Sequence, residues 1–391
     1  MANTLLHIGR AFTPTTEIAD AGILLRDGVI EAIVPREALQ LPAGAQEIRD
    51  AEATAAPGFV DVHIHGAGGH DVMEGTAEAL KAVAATLARH GTTSFLATTV
   101  TAHPEETCRS VEGISSYLTG QHETDAAHAE VLGIHFEGPF LSPARRGVHP
   151  PEWLQLPSAE LLEKFLTAAR GAGRILTLAP ELPGAAPCMD AARKAGLVVA
   201  MGHTDATYEQ ARAAIARGAR HAVHVYNAMR PFSHRDSGVI GAVLTAPEVT
   251  TELIADGVHV DEAAMRLLLQ AKGVERVILV SDGISATGMP DGKYMLGPFE
   301  VTVSGGVCRN VEGKLAGSTL TLDRALRNIV ALGVPLRDAL RMLTLNPATL
   351  LGVEFKKGAL RAGADADVVL LDAELHVKRV WTRGIEAQRP A

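Results

Sequence analysis

Eight short apolar runs recur through the middle of this 391-residue chain, at 59–64, 94–98, 131–136, 175–178, 198–201, 221–224, 250–254 and 277–281. Between most of them lie stretches with helical patterning, at 77–90, 104–118, 159–170, 189–195, 207–217 and 261–271. Strands that alternate with helices pair in parallel, because each helix carries the chain back to the start of the next strand. Eight such units predict an α/β fold closed into a (β/α)8 barrel. An open doubly wound sheet is the alternative. It calls for a Gly-rich phosphate fingerprint after its first strand, and no segment here has that dinucleotide-binding spacing.

The two ends of the chain read differently. Residues 4–8, 21–26, 29–34 and 45–50 are strand-like, with Asp27-Gly28 as a tight turn. Residues 367–372 and 376–382 are strand-like too, after 358–366. These ends are expected to pair in one small β domain made of 1–56 and 358–391, leaving 57–357 as the barrel. A Gly-rich segment at 292–317 carries alternating runs at 299–303 and 307–310 and predicts a β-hairpin insertion. Helices at 319–332 and 335–343 close the barrel, and Asn346 is expected to cap a further short helix.

The net charge of −9, with no basic tract, argues against nucleic acid as a partner. No apolar run is long enough to span a bilayer, and the first residues lack a signal-peptide pattern. The three cysteines, Cys108, Cys188 and Cys308, are scattered and odd in number, which suggests a reducing compartment. A cytoplasmic protein without a membrane partner is the expectation.

Barrel enzymes place their chemistry at the C-terminal ends of the strands. The first run ends His63-Ile64-His65-Gly66, with both imidazoles on one face of a strand. The third ends at Glu137, the fifth leads into His203, and the sixth ends at His224. The seventh leads to Asp256 and His259, and the eighth to Asp282. Each residue alone has an ordinary reading: His203 or Asp282 as a cap, Glu137 as a solvated loop charge, the histidines as partners of backbone carbonyls. Their joint placement at successive strand ends points to a metal site, since chance scatters such residues over both ends of a barrel. Glu137, His203 and His224 supply three ligands and leave a position for water. Asp282 is placed to take and return a proton. His63 and His65 offer a second metal site with Glu137 as the bridge. One or two divalent metals per chain are expected, zinc first, with iron and others left open by imidazole and carboxylate ligands.

The motifs PGFVDVHIHGAGGHDVM, GIHFEGPFL, GVHP, MGHTDA, HVYNAM, LIADGVHV, LVSDGISATG and LAGSTLTLD stand in order from Pro57 to Asp323, within a match that covers roughly residues 4–385. Together they resemble the N-acetylglucosamine-6-phosphate deacetylases, a branch of the amidohydrolase superfamily. The resemblance implies a barrel with a β-sandwich built from both termini, usually in a homodimer. It implies hydrolysis of the acetamide of a small sugar phosphate, N-acetylglucosamine 6-phosphate, to glucosamine 6-phosphate and acetate. On that pattern Glu137, His203 and His224 hold the principal metal, and Asp282, counted with the metal residues, is the acid/base beside it. His149 stands near the substrate carbonyl, next to Val148. Asn227 and Ala228 meet the sugar, Arg235 and His259 the phosphate, and the loop Leu315, Ala316, Gly317 and Ser318 touches the sugar. One phosphate contact in such enzymes can come from the second subunit. Members without the strand-one histidine pair use one metal, so His63 and His65 imply room for two.

Two other readings remain. One is a cyclic-amide hydrolase or deaminase of the same superfamily. Many of those bridge two metals with a modified lysine after the fourth strand, where this chain has Thr177-Leu178-Ala179-Pro180-Glu181. The other is a barrel that binds sugar phosphate without catalysis, which the presence of Asp282 with every metal ligand disfavours.

Overall fold

The computed structural model describes residues 3–13, 15–120 and 127–387. Phe59–Ile64, Thr92–Thr99, Glu130–Glu137, Gly173–Leu178, Val198–Met201, His221–Ala222, Thr250–Leu253 and Val277–Leu279 form one parallel sheet, hydrogen-bonded in chain order. The barrel closes just beyond the eighth strand. Asp282 N donates to His63 O (2.9 Å), and His65 N donates to Gly283 O (2.8 Å). Closure leaves no room for a side chain at Gly66, where a Cβ would lie 2.3 Å from His70 O and 2.8 Å from Ser285 N.

The first two strands are buried throughout, as expected of a parallel sheet with its interior filled and its outside covered by helices. The helices start where the sequence offers caps. Thr76, Ser158, Thr207 and Asp261 each accept a backbone N–H of the first turn, and Gln210 completes a capping box with Thr207. Leu80, Val83 and Leu87 of helix Ala77–Arg89 belong to the same core as Phe59, Phe95 and Phe136 of the barrel strands.

The sixth strand is shorter than the sequence suggests. It stops at Ala222 because His224 takes φ 27° and its N–H turns to Glu252 Oε2 (3.1 Å). A helix that the sequence reading missed, Gly238–Thr245, follows that loop; it is apolar on nearly all sides and so lacks a helical stripe. The insertion is a three-stranded antiparallel sheet, Gly292–Leu296, Phe299–Ser304 and Val307–Asn310, not a hairpin. Asn346 does not cap its helix. It lies within Leu345–Leu350, and its Nδ2 donates to Val274 O and Val277 O (both 2.7 Å), fastening that helix to the start of the eighth strand.

The two ends of the chain meet in one seven-stranded sheet. Gln46–Pro57 lies at its centre, parallel to Thr4–Phe12 and antiparallel to Val368–Leu371. The sheet folds over on itself: Ile30 N donates to Ala364 O (2.8 Å) and Ala366 N to Gly28 O (2.9 Å). Leu6, Ile23, Ile30, Val368 and Trp381 fill the space between the layers of this sandwich.

Lys357 pins sandwich to barrel. Its buried ammonium lies 2.6 Å from Glu130, at the start of the third barrel strand, and 2.9 Å from both Asp365 and Asp367. Burial pushes the lysine pKa down, but the Asp367, Glu130 and Asp365 carboxylates override it and leave it above the ordinary lysine range. Its stabilisation is therefore complete below a lysine's usual pKa of about 10.4 and fades only as the pH rises through the higher folded value. Lys357→Met strands buried carboxylates and is expected to cost about 3–5 kcal/mol, read as a lower urea midpoint at neutral pH. An unchanged midpoint would show that the cluster does not tie the two parts together.

Among the described residues, no helix is long and apolar enough to cross a membrane.

Candidate metal centre and active site

Glu137, at the end of the third strand, is the hub. Its Oε1 lies 3.0 Å from His224 Nε2, 3.2 Å from His203 Nε2 and 3.3 Å from His63 Nε2. Its Oε2 lies 3.4 Å from His65 Nε2 and 3.5 Å from His149 Nε2. Asp282 Oδ1 approaches His65 Nε2 at 3.2 Å and His63 Nε2 at 3.7 Å. The sequence-predicted cluster is thus brought together, and all of it is buried. His203, His224 and Asp282 hold left-handed backbone, with φ 46°, 27° and 49°. Strain of that kind costs roughly 1–3 kcal/mol per residue and collects at functional sites.

The outer nitrogens of the rings separate two kinds of histidine. His65 Nδ1 faces Thr98 O (3.0 Å), His203 Nδ1 faces Arg145 O (3.1 Å) and His63 Nδ1 faces Glu252 Oε2 (2.7 Å). Those partners only accept, so each Nδ1 carries a proton, and each Nε2 is turned towards Glu137 or Asp282. Each Nε2 therefore faces a carboxylate oxygen, and a positive charge, a proton or a metal ion, must lie between them. His149 is the reverse. Thr101 N–H donates to its Nδ1 (3.2 Å), so its Nε2 carries a proton and points into the site as a donor.

Electrostatics asks for the same charge. Burial raises the pKa of Glu137, but His63 and His203 lead the groups that pull it well below the usual carboxylate range. Glu252 is likewise held well down by His63 and His221 against the effect of burial, and Asp282 is lowered through His65 and His63. Burial lowers the pKa of His63, but Glu252 and Glu137 raise it well above normal. His203 is pushed down to about 4, chiefly by burial, and stays neutral as a metal ligand must. Buried, ionised carboxylates ringed by imidazole nitrogens fit a divalent cation, which would take the place of the protons that the carboxylates otherwise favour on His63. Among the described residues the ligand atoms group as His63, His65 and Asp282; as His63, His135 and Glu252; as His63, Glu137 and His224; and as Glu137, His149 and His203, so that Glu137 is shared while His203 and His224 fall in separate groups. The proton on His149 Nε2 takes that ring out of the last group.

A cavity of about 210 Å³ opens over the cluster. Val148, His149, Asn227, Ala228, His259, Leu315 and Gly317 line it, as the sequence reading expects. Asp256 orients His259 by accepting from Nδ1 (2.7 Å) and from the backbone N–H (2.8 Å). Val100, Leu296 and Phe299 add an apolar wall that the sequence did not announce; the last two come from the three-stranded insertion. Two predicted contacts lie behind the lining. Ala316 is packed in the insertion's small core, and Ser318 N donates to Asp282 O (2.8 Å). Arg235 is exposed on the 230–237 loop and does not line the cavity, which has no lysine or arginine among its described lining residues.

Buried partners that the sequence reading missed support the cluster. Glu252 holds His63, and His221 holds Glu252 (2.9 Å). His135 spends both nitrogens on Val62 O (3.1 Å) and Thr177 Oγ1 (2.7 Å), and burial pushes its pKa down to about 3, so it is a neutral framework residue. Asp61 Oδ1 accepts from His63 N (3.2 Å) and Ser281 N (3.4 Å). The available signal was a charged residue at an inward position of a barrel strand, which is costly unless partnered. Glu181, after the fourth strand, serves a different end: it accepts from Thr204 Oγ1 (2.5 Å) and Asp205 N (2.7 Å) and steadies the loop behind His203.

The pattern of the Amidohydrolase family matches residues 54–387, the barrel and its return into the sandwich. The chain belongs to the amidohydrolase family. This amidohydrolase is 40% identical to the N-acetylgalactosamine-6-phosphate deacetylase of Escherichia coli O157:H7, over 97% of this chain and 99% of that one. It is 36% identical to the N-acetylglucosamine-6-phosphate deacetylase of Bacillus subtilis, over 98% and 97%. Among solved structures, the N-acetyl-D-glucosamine-6-phosphate deacetylase of Mycobacterium smegmatis matches with TM-score 0.91, at 36% identity and over 100% of both chains. That structure is of an aspartate-to-alanine mutant in complex with N-acetyl-D-glucosamine-6-phosphate.

Proposed function

We propose that this amidohydrolase hydrolyses the acetamide of N-acetyl-D-glucosamine 6-phosphate, giving D-glucosamine 6-phosphate and acetate, as a cytoplasmic homodimer. The observation that carries the reading is the division of labour around Glu137. Imidazole lone pairs and two carboxylates make a cation site, and one protonated imidazole nitrogen faces the same space. The named relatives supply the substrate class.

Glu137, His203 and His224 would hold one divalent metal and His63 and His65 a second, and such a metal would supply an acidified water and a polarised carbonyl. Asp282 takes the proton of the attacking water at its carboxylate and delivers it to the sugar nitrogen as the C–N bond breaks. His149 Nε2–H stabilises negative charge as it builds on the acetyl oxygen. Val100, Leu296 and Phe299 shield the reacting amide from bulk water. Asn227 and the Ala228 backbone meet the sugar, and His259 meets the phosphate.

The lining of a single chain is short of positive charge for a phosphate dianion. Arg235, on its exposed loop, completes the phosphate site of a second copy; its planar fork suits phosphate oxygens. Arg235→Ala is expected to raise KM for the phosphorylated sugar by at least about tenfold, the factor that loss of ~1.4 kcal/mol of binding brings. KM for unphosphorylated N-acetylglucosamine should hardly move. Equal effects on both substrates would remove Arg235 from the phosphate site.

The 40% match to an N-acetylgalactosamine-6-phosphate deacetylase favours a second reading, with the C4 epimer as the preferred substrate. Acetate release from the two 6-phosphates, compared as kcat/KM, decides between them. Preference for the galacto epimer would transfer the assignment to it, and no acetate from either would overturn the deacetylase reading.

A further inference from the structure

Glu252 lies in the seventh barrel strand, Thr250–Leu253, and is fully buried. One of its oxygens does two things. Oε2 accepts from His63 Nδ1 at 2.7 Å and from the backbone N–H of His224 at 3.1 Å. The other, Oε1, meets His221 Nε2 at 2.9 Å. His221 Nδ1 in turn reaches Thr250 Oγ1 (2.7 Å), whose hydroxyl donates to Arg220 O (3.2 Å). Thr250 also lines a separate cavity of about 610 Å³ near the start of the strands. A continuous hydrogen-bonded chain therefore runs down the barrel from the candidate metal centre, and Glu252 is its first link.

We propose that Glu252 is the positioning residue that makes the strand-one histidine pair a metal site. The inference rests on the metal-dependent reading above. Among the described residues His63 Nε2 is buried without a hydrogen-bond partner, 3.3 Å from Glu137 Oε1. Its ring has two neutral tautomers. With the proton on Nε2, it would simply donate to Glu137 and bind nothing else. A carboxylate oxygen 2.7 Å from Nδ1 forbids that tautomer, because two acceptors would then face each other. Whenever the ring is singly protonated, Glu252 thereby turns the Nε2 lone pair into the site, where a cation takes the place of a second proton, and its negative charge makes that lone pair a better donor to the cation. The same oxygen holds the His224 backbone in its left-handed turn, so one carboxylate sets a ligand in each half of the cluster.

The test is metal binding, read independently of turnover. Metal-free wild type, Glu252→Gln and Glu252→Met are titrated with Zn²⁺, giving stoichiometry and dissociation constants. Glutamine keeps the shape and an acceptor for His63 but loses the charge, so the affinity of one site should fall by about 10–100-fold, as for loss of an outer-shell partner. Methionine removes the acceptor too, and stoichiometry should fall towards one per chain. If Glu252→Met does not fold, the glutamine variant decides alone. Unchanged stoichiometry and affinity in the folded variants would overturn the inference, including the case where only the melting temperature of the metal-free protein drops. A wild type that takes up metal and releases acetate while the Glu252 variants bind equally well sinks this inference alone. A wild type that binds no metal sinks the underlying reading with it.

Discussion

Asp282→Asn is expected to leave metal content near the wild-type value while kcat falls by about 10²- to 10⁴-fold, the range that a positioned acid/base contributes. The backbone around Asp282 should not move. Its N–H donates to His63 O and its carbonyl accepts from Ser318 N, so it is clamped between the first strand and the 315–318 loop. Asparagine has the same shape and keeps an oxygen 3.2 Å from His65 Nε2. What it cannot do is accept a proton from water and return it to nitrogen. The loss should therefore fall on kcat rather than KM. Near-normal turnover in this variant would remove Asp282 from the proton path.

Glu137→Gln should be more damaging, and in a different way. Five imidazole Nε2 atoms lie within 3.5 Å of this one carboxylate. Its negative charge balances the cation that the imidazole lone pairs require, and it touches both halves of the cluster. Glutamine removes the charge and turns an amide N–H₂ towards one set of rings. Metal affinity should fall beyond the roughly 10–100-fold that loss of an outer-shell partner costs, with acetate release following it down. Elemental analysis after dialysis reads the effect. Full metal retention would mean that Glu137 is not the bridge.

Much of this site was legible because a barrel converts sequence order into geometry. Once His63, Glu137, His203, His224 and Asp282 are placed at strand ends, closure makes them converge. The third and fifth strands were readable as apolar runs, and the Val198–Met201 boundaries agree with the structure. The sixth was overdrawn, because no local pattern shows that His224 leaves the ladder to reach Glu252, a partner 28 residues away. Glu252 itself went unread for a related reason. In Thr250-Thr251-Glu252-Leu253 it looks like an ordinary polar residue of a half-exposed strand, and only the assembled barrel shows it fully buried between His63 and His221. The first strand of the insertion, Gly292–Leu296, was lost among Gly292, Lys293 and Tyr294, whose alternation carries little apolar signal. Arg235 is the instructive opposite: resemblance puts it at the phosphate, and the single chain leaves it exposed.

The most direct test of the account is acetate release from N-acetylglucosamine 6-phosphate by one preparation before chelation, after chelation and after Zn²⁺ is restored, with elemental analysis at each stage. The account predicts acetate equimolar with glucosamine 6-phosphate, loss of activity in step with loss of metal, and recovery as the metal returns. Undiminished acetate release from protein shown to be free of metal would contradict it.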